Sequence, residues 1–271
     1  MPSFNILYKQ STIVYYRFGS GPQPVVCFHG YGEDASTFKF LDEPPHGRYS
    51  FLCLDLPFHG GTRWSGGLMF TSDDLLELTN LMLATSGFHV VPFHVMGFSL
   101  GGRMALGLYE CVPARVKKMI LLAPDGLKVN FWYWLSTQTF LGNRFFAFTM
   151  KHPRWFFGFV KLLHKAKLLN TSIFKFVNFY VHDAEARHLL YTRWTTLRKI
   201  RPHLKKIKQL IREHNSQVDI EYGIYDRIIL SSVGEKFRKG IEPHCRISLI
   251  EAGHHLLREK HKAEIMEALG A

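Results

Sequence analysis

The chain has 271 residues, 46% hydrophobic and 21% charged, with a formal net charge of +12 at pH 7. Those proportions exclude a disordered chain, a collagen-like repeat and a cysteine-stapled miniprotein. The length allows a large core that needs no structural metal or cross-link, and no apolar run reaches the ~18 residues of a membrane-spanning helix.

Taken in chain order, apolar runs alternate with helical patterns. Residues 3–8 and 12–17 read as two antiparallel strands joined by a polar turn, and 24–28 as a short buried strand ending at His29-Gly30. Residues 49–55 form the next strand. Segment 71–85 reads as a helix whose apolar face is Leu75, Leu76, Leu78, Leu81 and Met82, with Ser72 and Asp73 supplying N-cap chemistry. Residues 93–97 are a strand, 100–111 a helix rich in small residues, and 118–123 another strand. Beyond a long intervening block come strands at 218–224 and 246–250 and a final helix at 256–269. Strand alternating with helix argues an α/β fold with a mainly parallel sheet covered on both faces, and such sheets bind ligands beyond the carboxyl ends of their strands. His29, Asp55, Ser99, Asp125, Asp226 and His254 each follow a strand closely.

The first residues and the cysteines carry an expectation of location. The first sixteen residues have no basic stretch followed by an apolar one, so no secretory signal is expected. Cys27, Cys53, Cys111 and Cys245 are scattered without a CxxC pair, which removes zinc-ribbon and thioredoxin readings and suggests free thiols in a reducing, cytoplasmic setting. No HExxH or comparable ligand spacing appears, so no metal is expected. No GxGxxG follows a strand, so no dinucleotide cofactor is expected.

The sharpest motif is Gly97-Phe98-Ser99-Leu100-Gly101-Gly102, set between a strand and a helix. A serine on such a tight turn has its hydroxyl pushed out of the sheet's end. Small residues two before and two after it let the strand and helix backbones pass closely. GxSxG alone is a weak signal, and a serine that merely caps a helix would share it. A serine nucleophile needs a base, and the base needs an orienter. Asp226 lies just past one strand and His254 just past the next, giving the chain order Ser, Asp, His. On residues alone His255 rivals His254, and Asp125, also just past a strand, rivals Asp226.

With those landmarks in order, the sequence resembles the α/β-hydrolase superfamily over essentially its whole length. The carrying residues are Phe28-His29-Gly30-Tyr31-Gly32, Asp55-Leu56-Pro57-Phe58-His59-Gly60, the Ser99 elbow, the Asp226 loop and Gly253-His254. The resemblance implies a sheet of about eight strands with helices on both faces, formed by residues 1–124 and 206–271, and an all-α cap inserted at 125–205. It implies Ser99 as nucleophile, His254 as general base and then acid, Asp226 as its orienter, and the backbone N–H groups of Tyr31 and Leu100 as the oxyanion hole. His254 is preferred to His255 because the superfamily's histidine follows a glycine, and Asp226 to Asp125. Asp55, His59 and His29 are expected to hold loops. Where the common loop pattern has glycine, this chain has Phe58. Serine in place of aspartate as nucleophile disfavours dehalogenase and epoxide-hydrolase chemistry. The expectation is a serine hydrolase acting on a moderately apolar carboxylic ester or thioester. The alternatives are a non-catalytic receptor or scaffold on the same fold, and a C–C hydrolase or lyase using the same triad.

The positive charge is concentrated at 127–205, where Asp183 and Glu185 are the only acids. The same block holds Phe131-Trp132-Tyr133-Trp134, Phe145-Phe146-Ala147-Phe148 and Trp155-Phe156-Phe157-Gly158-Phe159. Most of these rings are expected to pack the cap, some to line a pocket. The charge has three readings: a helix face at 153–169 lying on an anionic membrane, steering of an anionic acyl substrate, or a solvated helix face comprising Arg193, Arg198, Lys199, Arg201, Lys205 and Lys206. No nucleic-acid-binding motif accompanies the charge.

Overall fold

The computed structural model describes residues 3–43, 47–166 and 183–270. Lys167 and Leu169, part of the membrane-face reading, and the other residues of 167–182 lie outside the described residues.

β1 (Ser3–Tyr8) and β2 (Ser11–Phe18) make an antiparallel hairpin. Lys9 and Gln10 turn between them with φ of 45° and 61°, the positive pair a two-residue hairpin requires. β3 (Gln23–Phe28), β4 (Tyr49–Leu54), β5 (Phe93–Phe98), β6 (Val116–Leu122), β7 (Gln217–Gly223) and β8 (Cys245–Ile250) complete one eight-stranded sheet in the order β1-β2-β4-β3-β5-β6-β7-β8. β2 meets β4 antiparallel, and every pairing from β4 to β8 is parallel. β3 and β4 are apolar along almost their whole length because both of their faces are covered. The chain runs from β3 outward to β4 and then back across to β5, so the strand order reverses between β3 and β5. In sheets of this kind the crevice beyond the strand ends opens at such a reversal.

α2 (Leu100–Cys111) packs on β3, β5 and β6, and both α1 (Ser72–Thr85) and α7 (Leu204–His214) pack against α2. α1 starts at Thr71, whose hydroxyl accepts from the Asp74 N–H while the Asp74 carboxylate accepts from the Thr71 N–H. The expectation that Ser72 and Asp73 cap this helix is thereby corrected by one residue. On the other face, the 3₁₀ segment Ala35–Leu41 and the last helix close a core of Val25, Cys27, Phe51, Cys53, Met96, Phe98, Ile120 and Leu122. That helix, α9 (Lys262–Leu269), is shorter than expected. Leu256 and Leu257 are buried in the core but lie in a loop. α8 (Ser231–Arg238) packs on β7 and β8.

Chain contacts separate two compact units. One comprises Met1–Gly66, Phe70–Lys128 and Lys199–Ala271, and holds the sheet; the other comprises Gly67–Met69 and Val129–Arg198. Within the second unit, α3 (Phe131–Gln138), α4 (Phe140–Lys151), α5 (Arg154–Lys165) and α6 (Ala184–Thr196) are the described helices. Trp194 sits 5.2 Å from the Tyr133 ring and 5.8 Å from the Phe146 ring, joining α3, α4 and α6. Asn130, Thr139 and Asp183 cap α3, α4 and α6 with their side chains. The six basic residues read as one solvated helix face are not one face. Arg193 belongs to α6, Lys205 and Lys206 to α7, and the others to the segment between. Arg198 donates to the Thr137 carbonyl, and Lys206 pairs with Glu110 at 3.2 Å.

Candidate active site

Strand β5 delivers Ser99 into a turn with φ 49° and ψ −112°, a conformation an L residue adopts only under constraint. The constraint is visible on every side. The Ser99 N–H donates to the Leu122 carbonyl at 2.9 Å, and the Ser99 carbonyl accepts from the N–H groups of Gly102 and Asp125 at 2.9 and 2.8 Å. A Cβ on Gly97 would run into the Gly101 carbonyl, and one on Gly101 into the carbonyl of Phe28 at the end of β3. α2 therefore starts in direct backbone contact with the neighbouring strand, which only glycine permits. Ser99 stands at the N-cap of α2 without capping it by its side chain, leaving Oγ available to another partner.

That partner is His254. Its Nε2 lies 3.0 Å from Ser99 Oγ, and its Nδ1 lies 2.7 Å from Asp226 Oδ2. A carboxylate accepts only, so the proton on the imidazole belongs on Nδ1, and Nε2 is the acceptor facing the serine hydroxyl. The Asp226 carboxylate is fully buried, and its other oxygen accepts from the backbone N–H groups of Ile228 and Ile229 at 2.7 and 3.0 Å. These two donors follow it in an Asx-type turn and fix its second oxygen toward the histidine. Three side chains from the ends of β5, β7 and β8, 155 residues apart at the extremes, thus form one connected chain.

The two backbone groups expected to bind an oxyanion belong to Leu100, next to Ser99 in the chain, and to Tyr31, in the loop after β3. Leu100 opens α2, so its N–H is among those with no acceptor in the helix's own ladder. Tyr31 follows β3, whose Phe28 is in register with Gly97 of β5. The Tyr31 loop is held by Glu33: its carboxylate accepts from the Gly30 N–H at 3.1 Å, and its own N–H donates to the Gly30 carbonyl at 3.3 Å. Burial pushes the Glu33 carboxyl above its ordinary range, and the Gly30 hydrogen bond partly opposes that.

The other strand-end residues hold loops. His29 is fully buried, donates from Nδ1 to the Gly30 carbonyl at 2.8 Å and accepts the Leu56 N–H on Nε2 at 3.1 Å. Asp55 accepts from the N–H groups of Ala35 and Gly61, each at 2.7 Å, while burial raises its pKa. His59 meets the Pro57 carbonyl at 2.9 Å. Phe58 takes φ 63°, the left-handed conformation for which the usual glycine is suited. Asp125 pairs with Arg103 at 3.2 Å, and Asp226 is the carboxylate on His254. His255 is exposed and lies 3.9 Å from Glu33; partial loss of water around its ring and then Arg258 lower its pKa. Two residues at the site escaped the sequence reading. Phe98, the variable position of GxSxG, puts its ring 5.4 Å from that of His254, and Glu33 braces the Tyr31 loop. An acid two positions beyond Tyr31 is the only trace Glu33 leaves in the sequence. Among the described residues, no group of three or more His, Cys, Asp or Glu side chains is placed to hold a metal ion.

Similarity to known proteins places the fold. Among curated relatives, the chain is 31% identical over 110 residues to a dihydrolipoyllysine-residue acetyltransferase component of the acetoin cleaving system from Pseudomonas putida, covering 40% of this chain and 29% of that protein. A second such component, from Cupriavidus necator, is likewise covered over 29% of its length, so the chain matches under a third of these relatives. The Bacillus subtilis protein named "Uncharacterized hydrolase YugF" is 22% identical over 91% of this chain and 89% of its own. Among solved structures, a thermophilic esterase from Thermogutta terrifontis superposes with a TM-score of 0.68 over 100% of this chain and 98% of that one, at 16% identity, a likeness of fold. Residues 23–216 match the family described as alpha/beta hydrolase fold. With that match spanning well over half the sequence, and the reversed strand order and serine turn in place, the chain belongs to the alpha/beta hydrolase fold family.

Proposed function

We propose that the protein is a serine hydrolase that cleaves a moderately apolar carboxylic ester or thioester through an acyl-enzyme. The observation that carries this reading is His254, bonded at once to Ser99 Oγ at 3.0 Å and to Asp226 at 2.7 Å. In this reading the Ser99 hydroxyl loses its proton to His254 Nε2 as Oγ attacks the carbonyl carbon. The negative charge on the former carbonyl oxygen is met by the N–H groups of Leu100 and Tyr31, each such donor being worth ~3 kcal/mol in the transition state. The positive end of the α2 dipole adds to this. Asp226 stabilises the imidazolium without taking its proton. Collapse breaks the bond to the leaving alcohol or thiol, which takes the proton from Nε2. Water then repeats the sequence on the acyl-serine, releasing the acid and restoring Ser99. The acetyl transfer in the name of the Pseudomonas putida relative is likewise acyl chemistry.

A fluorophosphonate probe is expected to label the wild-type protein and leave Ser99→Ala unlabelled. A series of p-nitrophenyl esters and acyl-CoAs of increasing length, run on both proteins, reads the acyl preference as a peak at one length. Tight binding of a ligand by both proteins, with no turnover by either, would instead make the chain a receptor on this fold.

A further inference from the structure

The described part of the helical unit carries large apolar side chains that stay exposed. On α5, Trp155, Phe159 and Leu162 are exposed at spacings of four and three residues, one stripe along the helix. On α4, Leu141, Phe145 and Phe148 repeat the same spacing and are also exposed. The stripes meet where the Phe145 and Trp155 rings lie 5.2 Å apart. Large aromatic side chains rarely stand in a contiguous exposed group on a soluble surface without an occupant.

Charge names the occupant. Arg154, Lys161 and Lys165 occupy the row next to the α5 stripe, about 100° round the helix, and make no ion pair among the described residues. Arg144 lies over the exposed Phe140 ring at 5.5 Å, beside the α4 stripe. No acidic residue occurs between Asp125 and Asp183. An apolar band rich in rings, edged by cations and free of anions, complements a surface whose interior is hydrocarbon and whose rim is negative. Among the described residues no helix is long and apolar enough to cross a membrane, so the complementary arrangement is one of lying on it.

We infer that the face formed by α4 and α5 seats the protein on an anionic lipid bilayer. The inference stands apart from the hydrolase reading, because it concerns binding and uses none of Ser99, Asp226 or His254.

The test is co-sedimentation of the full chain with vesicles of phosphatidylcholine alone and of phosphatidylcholine with phosphatidylglycerol. The protein is expected to pellet with the anionic vesicles, less with the neutral ones, and less again as salt is raised. Exchanging Trp155, Phe159 and Leu162 for serine is expected to abolish pelleting with both. Lys161→Glu with Lys165→Glu is expected to lower partitioning into anionic vesicles roughly tenfold or more and to leave neutral-vesicle binding in place. Both variants replace exposed side chains, and an unchanged melting temperature and unchanged hydrolysis of a soluble p-nitrophenyl ester are expected. Pelleting of wild type that ignores lipid charge overturns the inference. So does a dimer, seen by sedimentation velocity, that the serine variant dissociates, since the face would then belong to a second copy. Loss of soluble-ester activity in the serine variant together with lost pelleting assigns the stripe to the enzyme's own substrate or fold, and also overturns it. Ser99→Ala should pellet as wild type does, which keeps the outcome separate from that for catalysis.

Discussion

Asp226 holds a buried position with both oxygens committed, one to two backbone donors and one to His254. Replacing it with asparagine changes one atom's chemistry and little of the shape. The amide NH₂ would then face Nδ1 and force that nitrogen to accept, so the ring proton would move to Nε2 and point at Ser99. A histidine in that tautomer cannot take the serine proton. Asp226→Asn is expected to lower kcat by about 10⁴-fold, with the fold and KM little changed. Asp125→Asn is expected to leave kcat within severalfold, because that carboxylate serves Arg103. Measuring kcat for the pair on one activated ester separates the two acids that sequence alone left in competition. The competition was real at this scale: both aspartates follow strands, and the difference lies in the turns after them. Asp226 is followed by backbone donors that anchor it toward the β8 loop. A one-dimensional pattern carries no sign of where a carboxylate points. His254 and His255 were separable for a different reason, the glycine before the first, yet the physical difference is exposure and partner rather than that glycine.

At the scale of elements, the serine turn is a problem in backbone clearance, and the glycines around it are not equivalent. Gly101 has the Phe28 carbonyl where its Cβ would go, whereas Gly253, part of the motif that drew attention to His254, has nothing within 4 Å. Gly101→Ala must push α2 off β3. It is expected to destabilise the protein by roughly 1–3 kcal/mol or more and to slow fluorophosphonate labelling of Ser99. Gly253→Ala is expected to change neither by a measurable amount. Urea midpoints and labelling rates for both variants check the contrast. The elements themselves were legible to within one or two residues wherever period and boundary coincided: α2 begins and ends where its small-residue pattern does, and each central strand is an apolar run bounded by turn residues. The last helix was overextended because Leu256 and Leu257 continue its apolar spacing while serving another purpose, filling the core beneath the His254 loop. Burial in a loop and burial on a helix face look alike in sequence.

Across the whole molecule, two buried ionisable groups pull stability in opposite directions with pH. Glu221 on β7 is almost wholly buried, and that burial lifts its carboxyl from 4.5 to about 7, against the nearby Arg246 guanidinium. His94 on β5 is pushed from 6.5 down to about 4 by burial and then by Lys118, Lys117 and Arg48; its Nδ1 has no hydrogen-bond partner among the described residues. A raised carboxyl favours the folded state while the pH lies below its unfolded value, and that advantage is lost as pH climbs through 4.5 toward 7. A depressed imidazole favours it above 6.5, and that advantage is lost as pH falls toward 4. Between about 4.5 and 6.5 the two slopes oppose, and the intact protein is expected to show a shallow net dependence from this pair. Glu221→Gln removes one slope: its stability is expected to fall on acidification from pH 6.5 to 4.5 more steeply than wild type. It should also gain on the order of 2–3 kcal/mol relative to wild type at neutral pH, where the native carboxyl is forced to ionise. His94→Phe removes the other, and its stability relative to wild type is expected to rise as the pH is lowered through the same window. Melting temperatures of the three proteins across this range give the answer as differences from wild type, in which every other titrating group cancels. Parallel curves for Glu221→Gln and wild type would mean that the β7 carboxyl ionises in its usual range despite its burial.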